Sequence, residues 1–173
     1  MVASVGHVKL IKPSTLKVDA IRLAFLNAMR KQATEIKKEF EKTTATWKTD
    51  VEFEQAISLK GPGPELLVFT DNEIYGYVNN GTEPHPIPIR KPGPLHFQWG
   101  GKGSYTPKTT PRVIGSKSGG PSGPMVTFAR IIEHPGNEAR HFDEEIEKKT
   151  RPRFKRAMEK AMSDARKKSG HAI

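Results

Sequence analysis

From Leu16 to about Lys42 the apolar residues Ile21, Phe25, Ala28, Met29, Ala33, Ile36 and Phe40 recur mainly at steps of three and four. That spacing puts them on one face and predicts a long amphipathic helix, with Arg22, Arg30, Lys37, Lys38 and Glu41 on the other face. Ser14, just after Pro13, is the expected N-cap, and Asp19 falls early enough to complement the helix dipole. Beyond Trp47 the period changes to two. Val51, Phe53, Gln55, Ile57 and Leu59, with Glu52 and Glu54 between them, predict a half-buried strand. Gly61-Pro62-Gly63-Pro64 predicts a turn. A second apolar run from Glu65 to Thr70, closed by Asp71-Asn72, completes an expected antiparallel hairpin.

Residues 80 to 124 hold the pattern least well. Pro84, Pro86, Pro88, Pro92 and Pro94 remove backbone donors and leave room only for isolated edge pairing. Leu95, Phe97 and Trp99 alternate with polar residues and predict one short strand. Gly100 to Gly123 is rich in Gly, Ser, Pro and Lys and reads as a long mobile loop. A strand is expected from Met125 to Glu133, then a helical region from about Asn137 to Lys168. Phe142, Ile146, Phe154, Ala157, Met158, Ala161 and Met162 form its apolar side. Pro152 is expected to interrupt or kink it, with Thr150 as a fresh N-cap. The order predicts an α+β fold: an antiparallel sheet covered on one face by a long N-terminal helix and a C-terminal helix, with a long Gly/Pro-rich loop. The domain plan is an arm over 1–13, a single domain over 14–168 with an extended loop at 100–124, and a tail over 169–173.

Composition sharpens this picture. Only 35% of residues are hydrophobic, a low share that points to a modest core and to loops buried on partners. The formal net charge of +10 suits nucleic acid, an acidic membrane surface or an acidic protein, without choosing among them. Cysteine is absent, which removes disulfides, thiolate metal sites and thiol nucleophiles. Met1 to Leu10 has no continuous apolar run, so neither a signal peptide nor a membrane span is expected. Asn80-Gly81-Thr82 fits a glycosylation triplet and is read as chance.

Catalytic chemistry finds little footing. His134 and His141 are seven apart, His85 sits between prolines, and no His-x-x-x-His or Ser-His-Asp arrangement is visible. Gly100-Gly101-Lys102-Gly103 and Gly115-Ser116-Lys117-Ser118 lack the spacing of a P-loop. The expectation is no enzyme activity, no catalytic or metal-ligating residues and no cofactor. The final helix is strongly basic through Lys148, Lys149, Arg151, Arg153, Lys155 and Arg156, continuing to Lys160, Arg166, Lys167 and Lys168. With only Phe154 interleaved, that face suits phosphate or an acidic neighbour better than base stacking. A solvated helix face is the plainer account of it.

Two stretches carry a resemblance. Tyr75-Gly76-Tyr77-Val78-Asn79-Asn80-Gly81-Thr82-Glu83-Pro84-His85-Pro86-Ile87 is followed by the apolar Leu95-His96-Phe97. Later comes His134-Pro135-Gly136-Asn137-Glu138-Ala139-Arg140-His141-Phe142. Both resemble segments of the tail-completion and minor-tail family of long-tailed phages, also described as head–tail joining or virion morphogenesis proteins. In that family an aromatic-rich strand or turn leads into a Gly-Thr step, and a His-Pro-Gly step precedes the last helix. The resemblance implies a structural virion protein of the tail or neck, assembled in a host bacterial cytoplasm. It implies a homo-oligomeric ring, sixfold with twelvefold as the alternative, that finishes the tail and mediates head–tail joining. Its neighbours would be the connector or stopper and the tail terminator or tube, with DNA passing through the lumen and no membrane. The expected contact residues are Lys102, Tyr105, Lys108, Arg112 and Lys117 of the loop. The motif turns are Gly81, Thr82, His134, Pro135 and Gly136. The basic residues Lys148, Lys149, Arg151, Arg153, Lys155 and Arg156 are expected to face DNA or an acidic partner. The rival reading is a nucleic-acid-binding protein acting through the basic C-terminal helix.

Overall fold

The computed structural model describes residues 17–58, 65–87, 93–101, 105–128 and 132–169. Ser14, the 1–13 arm, Leu59, the Gly61–Pro64 turn and Lys102 lie outside the described residues, as does most of the 169–173 tail. Two helices of 27 residues frame the fold, α1 (Val18–Thr44) and α3 (Phe142–Lys168). Between them come β1 (Glu54–Ser58), β2 (Glu65–Phe69) and the short α2 (Glu73–Asn80). The remaining strands are β3 (His85–Ile87), β4 (Leu95–Gln98), β5 (Tyr105–Thr106), β6 (Gly120–Pro121), β7 (Met125–Phe128) and β8 (Ile132–His134).

The α+β class and the two long helices agree with the hydrophobic pattern. Among the described residues all strand pairing is antiparallel, but it is divided among four two-stranded ribbons, β1–β2, β3–β8, β4–β7 and β5–β6. Within the strand expected from Met125 to Glu133, the described parts pair differently, β7 with β4 and β8 with β3, and residues 129–131 lie outside the described residues. The aromatic segment Tyr75–Val78, expected as strand or turn, is helical. Asn72 caps it by accepting the Tyr75 N–H at 3.0 Å, so the polar pair thought to end a strand also starts a helix.

The core forms where α2 meets both long helices. Phe53, Tyr75, Phe142 and Ile146 are buried together, with Ile36, Phe40, Trp47, Val51, Val68, Val78 and Ile114 packed around them. Tyr75 is its hub: its ring lies 5.1 Å from Phe53, edge to face, and 6.0 to 6.4 Å from Phe142, Trp47 and Phe40. Burial pushes the Tyr75 phenol well above its usual pKa, with Thr43 alongside opposing the shift only in part. The Thr43 hydroxyl donates to the Phe40 carbonyl, and Tyr75 Oη makes no hydrogen bond among the described residues.

Pro152 does not break α3, and Thr150 is not an N-cap. The Thr150 hydroxyl donates to the Ile146 carbonyl at 2.7 Å. Buried Ile146 and Thr150 before the proline, and Ala161 and Ala165 after it, hold the helix down on both sides. Pro152 itself is exposed, so the carbonyl it deprives of a donor faces water.

Buried Glu39 of α1 binds two cations, Lys149 Nζ of α3 at 2.7 Å and Lys42 Nζ at 2.9 Å. Burial alone would raise the pKa of this carboxyl; the hydrogen bonds and charges of Lys149 and Lys42 outweigh it and leave the pKa lowered. Its stabilisation is therefore complete above the unfolded carboxyl value of about 4.3 and disappears as pH falls through the lower folded value. Glu39→Gln should cost about 1–2 kcal/mol at neutral pH, discounted for the exposure of both lysines. In urea melts the gap between wild type and variant should narrow between about pH 5 and pH 3. A gap that stays constant would mean that packing, not charge, carries the effect.

Candidate functional site

The two motif segments are fitted to each other. Thr82 and Asn137 form an antiparallel bridge, Thr82 N–H to Asn137 O at 2.9 Å and Asn137 N–H to Thr82 O at 3.0 Å. The Thr82 hydroxyl also accepts the Asn137 N–H at 3.0 Å. Gly81 (φ +78°) and Gly136 (φ +82°) flank this bridge in left-handed backbone. A Cβ on Gly81 would sit 2.8 Å from the Asn137 carbonyl oxygen, and one on Gly136 would run into the Thr82 carbonyl. His134 Nδ1 accepts the Gly136 N–H at 3.0 Å across exposed Pro135, and its ring stacks on His85 with centroids 5.0 Å apart. Gly81, Thr82, His134, Pro135 and Gly136 thus build one internal junction.

This junction also launches α3. Asn137, where the helical region was expected to begin, is held in the bridge, and the helix starts at Phe142. His141, just before it, has φ +52° and offers no side-chain cap. The cap comes from elsewhere in the chain: buried Asn79 Oδ1 accepts the N–H groups of Phe142 (2.8 Å) and Asp143 (3.4 Å). The Asn79 carbonyl accepts the N–H groups of Arg140 and His141, each at 3.0 Å.

The segment expected as a mobile loop is, over 105–123, bonded to the body. Lys108 Nζ donates to Thr46 O at 2.7 Å, Ser116 Oγ to Lys42 O at 3.2 Å, and Thr46 Oγ1 to Lys117 O at 3.0 Å. The Arg112 N–H donates to Arg140 O at 2.9 Å, while its guanidinium lies 3.4 to 3.5 Å from Glu144 and Glu145. Ile114 packs against the core. Lys108 and Arg112 therefore tie the segment down, and Lys117 does so through its backbone. Tyr105 keeps 56% of its surface exposed, and the Arg112 and Lys117 side chains are exposed as well.

The basic residues of α3 divide into two sets. Lys149 binds Glu39, Arg151 pairs with Glu147, and Lys155 approaches Glu159 at 4.0 Å. Lys148, Arg153 and Arg156 are exposed and make no ion pair among the described residues. Among the described residues no group of three or more His, Cys, Asp or Glu could hold a metal ion, and no helix is long and apolar enough to cross a membrane.

A cavity of about 330 Å³ lies between the β5–β6 ribbon, the turn after α1, α2 and the 137–140 segment. Trp47, Ile74, Val78, Tyr105, Pro107 and Pro121 give it apolar walls, and Lys48, Lys108, Glu138 and Arg140 its charges. Arg140 Nε donates to buried Thr109 at 3.2 Å, and its Nη1 stands 3.8 Å from Glu138. Sequence reasoning picked out neither Arg140 nor Asn79 as functional. Asn79 had a local signal, because Asn72-Glu73 followed by Ile74 and Val78 is a capped helix start that would place Tyr75 and Asn79 on one face.

No protein-family model matches this chain, and neither a curated protein nor a solved structure matches it.

Asn79→Ala should lower stability by about 1–2 kcal/mol, since it strips the start of α3 of its cap. Native-state hydrogen exchange should then show faster exchange at the amides of Phe142 and Asp143. Unchanged exchange at those two amides would sink the assignment of Asn79 as the cap.

Proposed function

We propose that this chain is a structural virion protein, a ring-forming tail-completion or neck subunit that finishes a long-tailed phage tail and mediates its joining to the head. The observation that carries the reading is the Thr82–Asn137 bridge. The two sequence segments that resemble the phage family lie far apart in the chain, yet they interlock with glycine-only clearance. The surface supports the reading as well. Among the described residues no further strand pairs with either edge of the two-stranded ribbons, and large apolar residues such as Leu67, Tyr77, Tyr105 and Met125 are more than half exposed. A cyclic assembly would cover such edges on neighbouring subunits. The partners in this proposal are further copies of the chain, in a sixfold or twelvefold ring, and the connector, stopper, terminator or tube proteins on either side. The proposal places the chain in the virion and assigns it no catalysis, metal or cofactor.

The test is negative-stain electron microscopy of a lysate from the parent phage carrying an early nonsense codon in this gene. Full heads lying apart from tails, or tails with abnormal ends, are expected. Normal joined virions would reject the completion role. The loop's contribution is better probed with Tyr105→Ala than by deleting 103–122, because the deletion would also remove the contacts to Thr46, Lys42 and Arg140.

One observation favours a second reading, nucleic-acid binding through α3: Lys148, Arg153 and Arg156 carry charges not engaged within the described residues. Duplex DNA bound there should dissociate as salt rises, because each neutralised phosphate releases counterions. Replacing these three residues with Gln should reduce the log–log salt slope by roughly 2–3. No measurable affinity at low salt would remove this reading.

A further inference from the structure

We propose that the cavity beside β5–β6 is a carboxylate-binding site anchored by Arg140, and that its occupant is an extended segment of a partner protein carrying an acidic residue next to an apolar one. This site is read from its own chemistry and holds whether or not the chain forms a ring. The Arg140 side chain is 11% exposed, so its cation is largely withdrawn from water. Its structural duties use other atoms. The backbone N–H donates to Val78 O and Asn79 O, the carbonyl accepts from Arg112, and Nε donates to Thr109. The two terminal nitrogens, the fork that grips a carboxylate through parallel hydrogen bonds, donate no hydrogen bond among the described residues. Glu138 lies 3.8 Å from one of them, beyond hydrogen-bonding distance, and its own side chain is 77% exposed. It is a weak companion that an incoming carboxylate can displace.

Charge and shape select the partner. Arg140, Lys48 and Lys108 outnumber Glu138 around the cavity, so an anionic group is favoured. The walls offered by Trp47 and Tyr105 are apolar faces that suit a side chain beside the carboxylate. On one flank Gly120 leaves open space where a side chain would stand, which lets a peptide backbone approach. The volume falls at the small end of ligand pockets, roughly 300–1,000 Å³, and fits a short segment. A polyphosphate backbone fits less well, because Lys108 already donates to the Thr46 carbonyl and the aromatic walls would go unused.

The experiment is a nitrogen-15 NMR titration of the full chain with two capped tetrapeptides, acetyl-Ala-Phe-Glu-Ala-amide and its Phe-Gln counterpart. The Glu peptide should give saturable shifts at the Trp47 indole and at the amides of Tyr105, Gly120 and Arg140. The Gln peptide should bind roughly tenfold more weakly, and Arg140→Gln should weaken the Glu peptide by about the same factor. Arg140→Gln also risks the Thr109 contact, so Glu138→Gln provides an independent arm and should tighten binding. Equal binding of the two peptides, shifts confined to the basic face of α3, or no saturable shifts would each overturn the proposal. So would binding of free 3-phenylpropionate without binding of the Glu peptide.

Discussion

The interaction on which the rest of the molecule depends is the grip of the Asn79 side chain on the start of α3. A helix of 27 residues presents unpaired N–H groups at its first turn, and this one has a left-handed histidine where a capping side chain normally stands. The missing acceptor arrives from α2, more than sixty residues earlier in the chain. Tyr75, one turn before Asn79 on the same buried face, meets rings from α1, the turn after it, the approach to β1 and the first residue of α3. Eight residues of helix thus fix both where α3 begins and how it lies on the aromatic core. Gly81 and Gly136 matter because they let the Thr82–Asn137 bridge close tightly enough to bring Asn79 to that position.

How much of this was legible follows from range. The long helices could be read because their stripes repeat over seven turns and more, so local periodicity was sufficient. α2 spans only eight residues and carries two tyrosines, a β-branched valine and a glycine, and the strand or turn expected there came from the family resemblance alone. Its helical state rests on the Asn72 cap and on the burial of Tyr75, and the second of these is tertiary. The same holds for Pro152. Local rules predict a break or a kink; packing on both sides of the proline keeps the helix unbroken despite the loss of one hydrogen bond. The loop misled for a related reason: glycine and proline content reports backbone freedom in isolation. It says nothing of Lys108, Ser116 and Ile114, which tie the segment to α1 and the core.

The candidate sites divide along the same line. The Gly-Thr and His-Pro-Gly steps stood out in sequence and prove to be parts of one internal junction. Arg140 did not stand out, because its meaning depends on Trp47, Tyr105 and Thr109, which are brought to it only by the fold. A lone arginine among many basic residues carries no sequence signal until its neighbours are known.

The two cationic features differ in how each would act on a charged partner. The outer face of α3 is exposed and lacks aromatic companions apart from half-buried Phe154, so its charges act at long range and are screened by salt. Such a face raises encounter rates and orients a partner without selecting it closely. Arg140 is recessed, its cation faces a bounded apolar space, and its stem is held by Thr109. A charge of that kind acts at contact distance, where desolvation makes a mismatched partner costly. The exposed face suits long-range attraction, and the recessed arginine suits selection at contact distance.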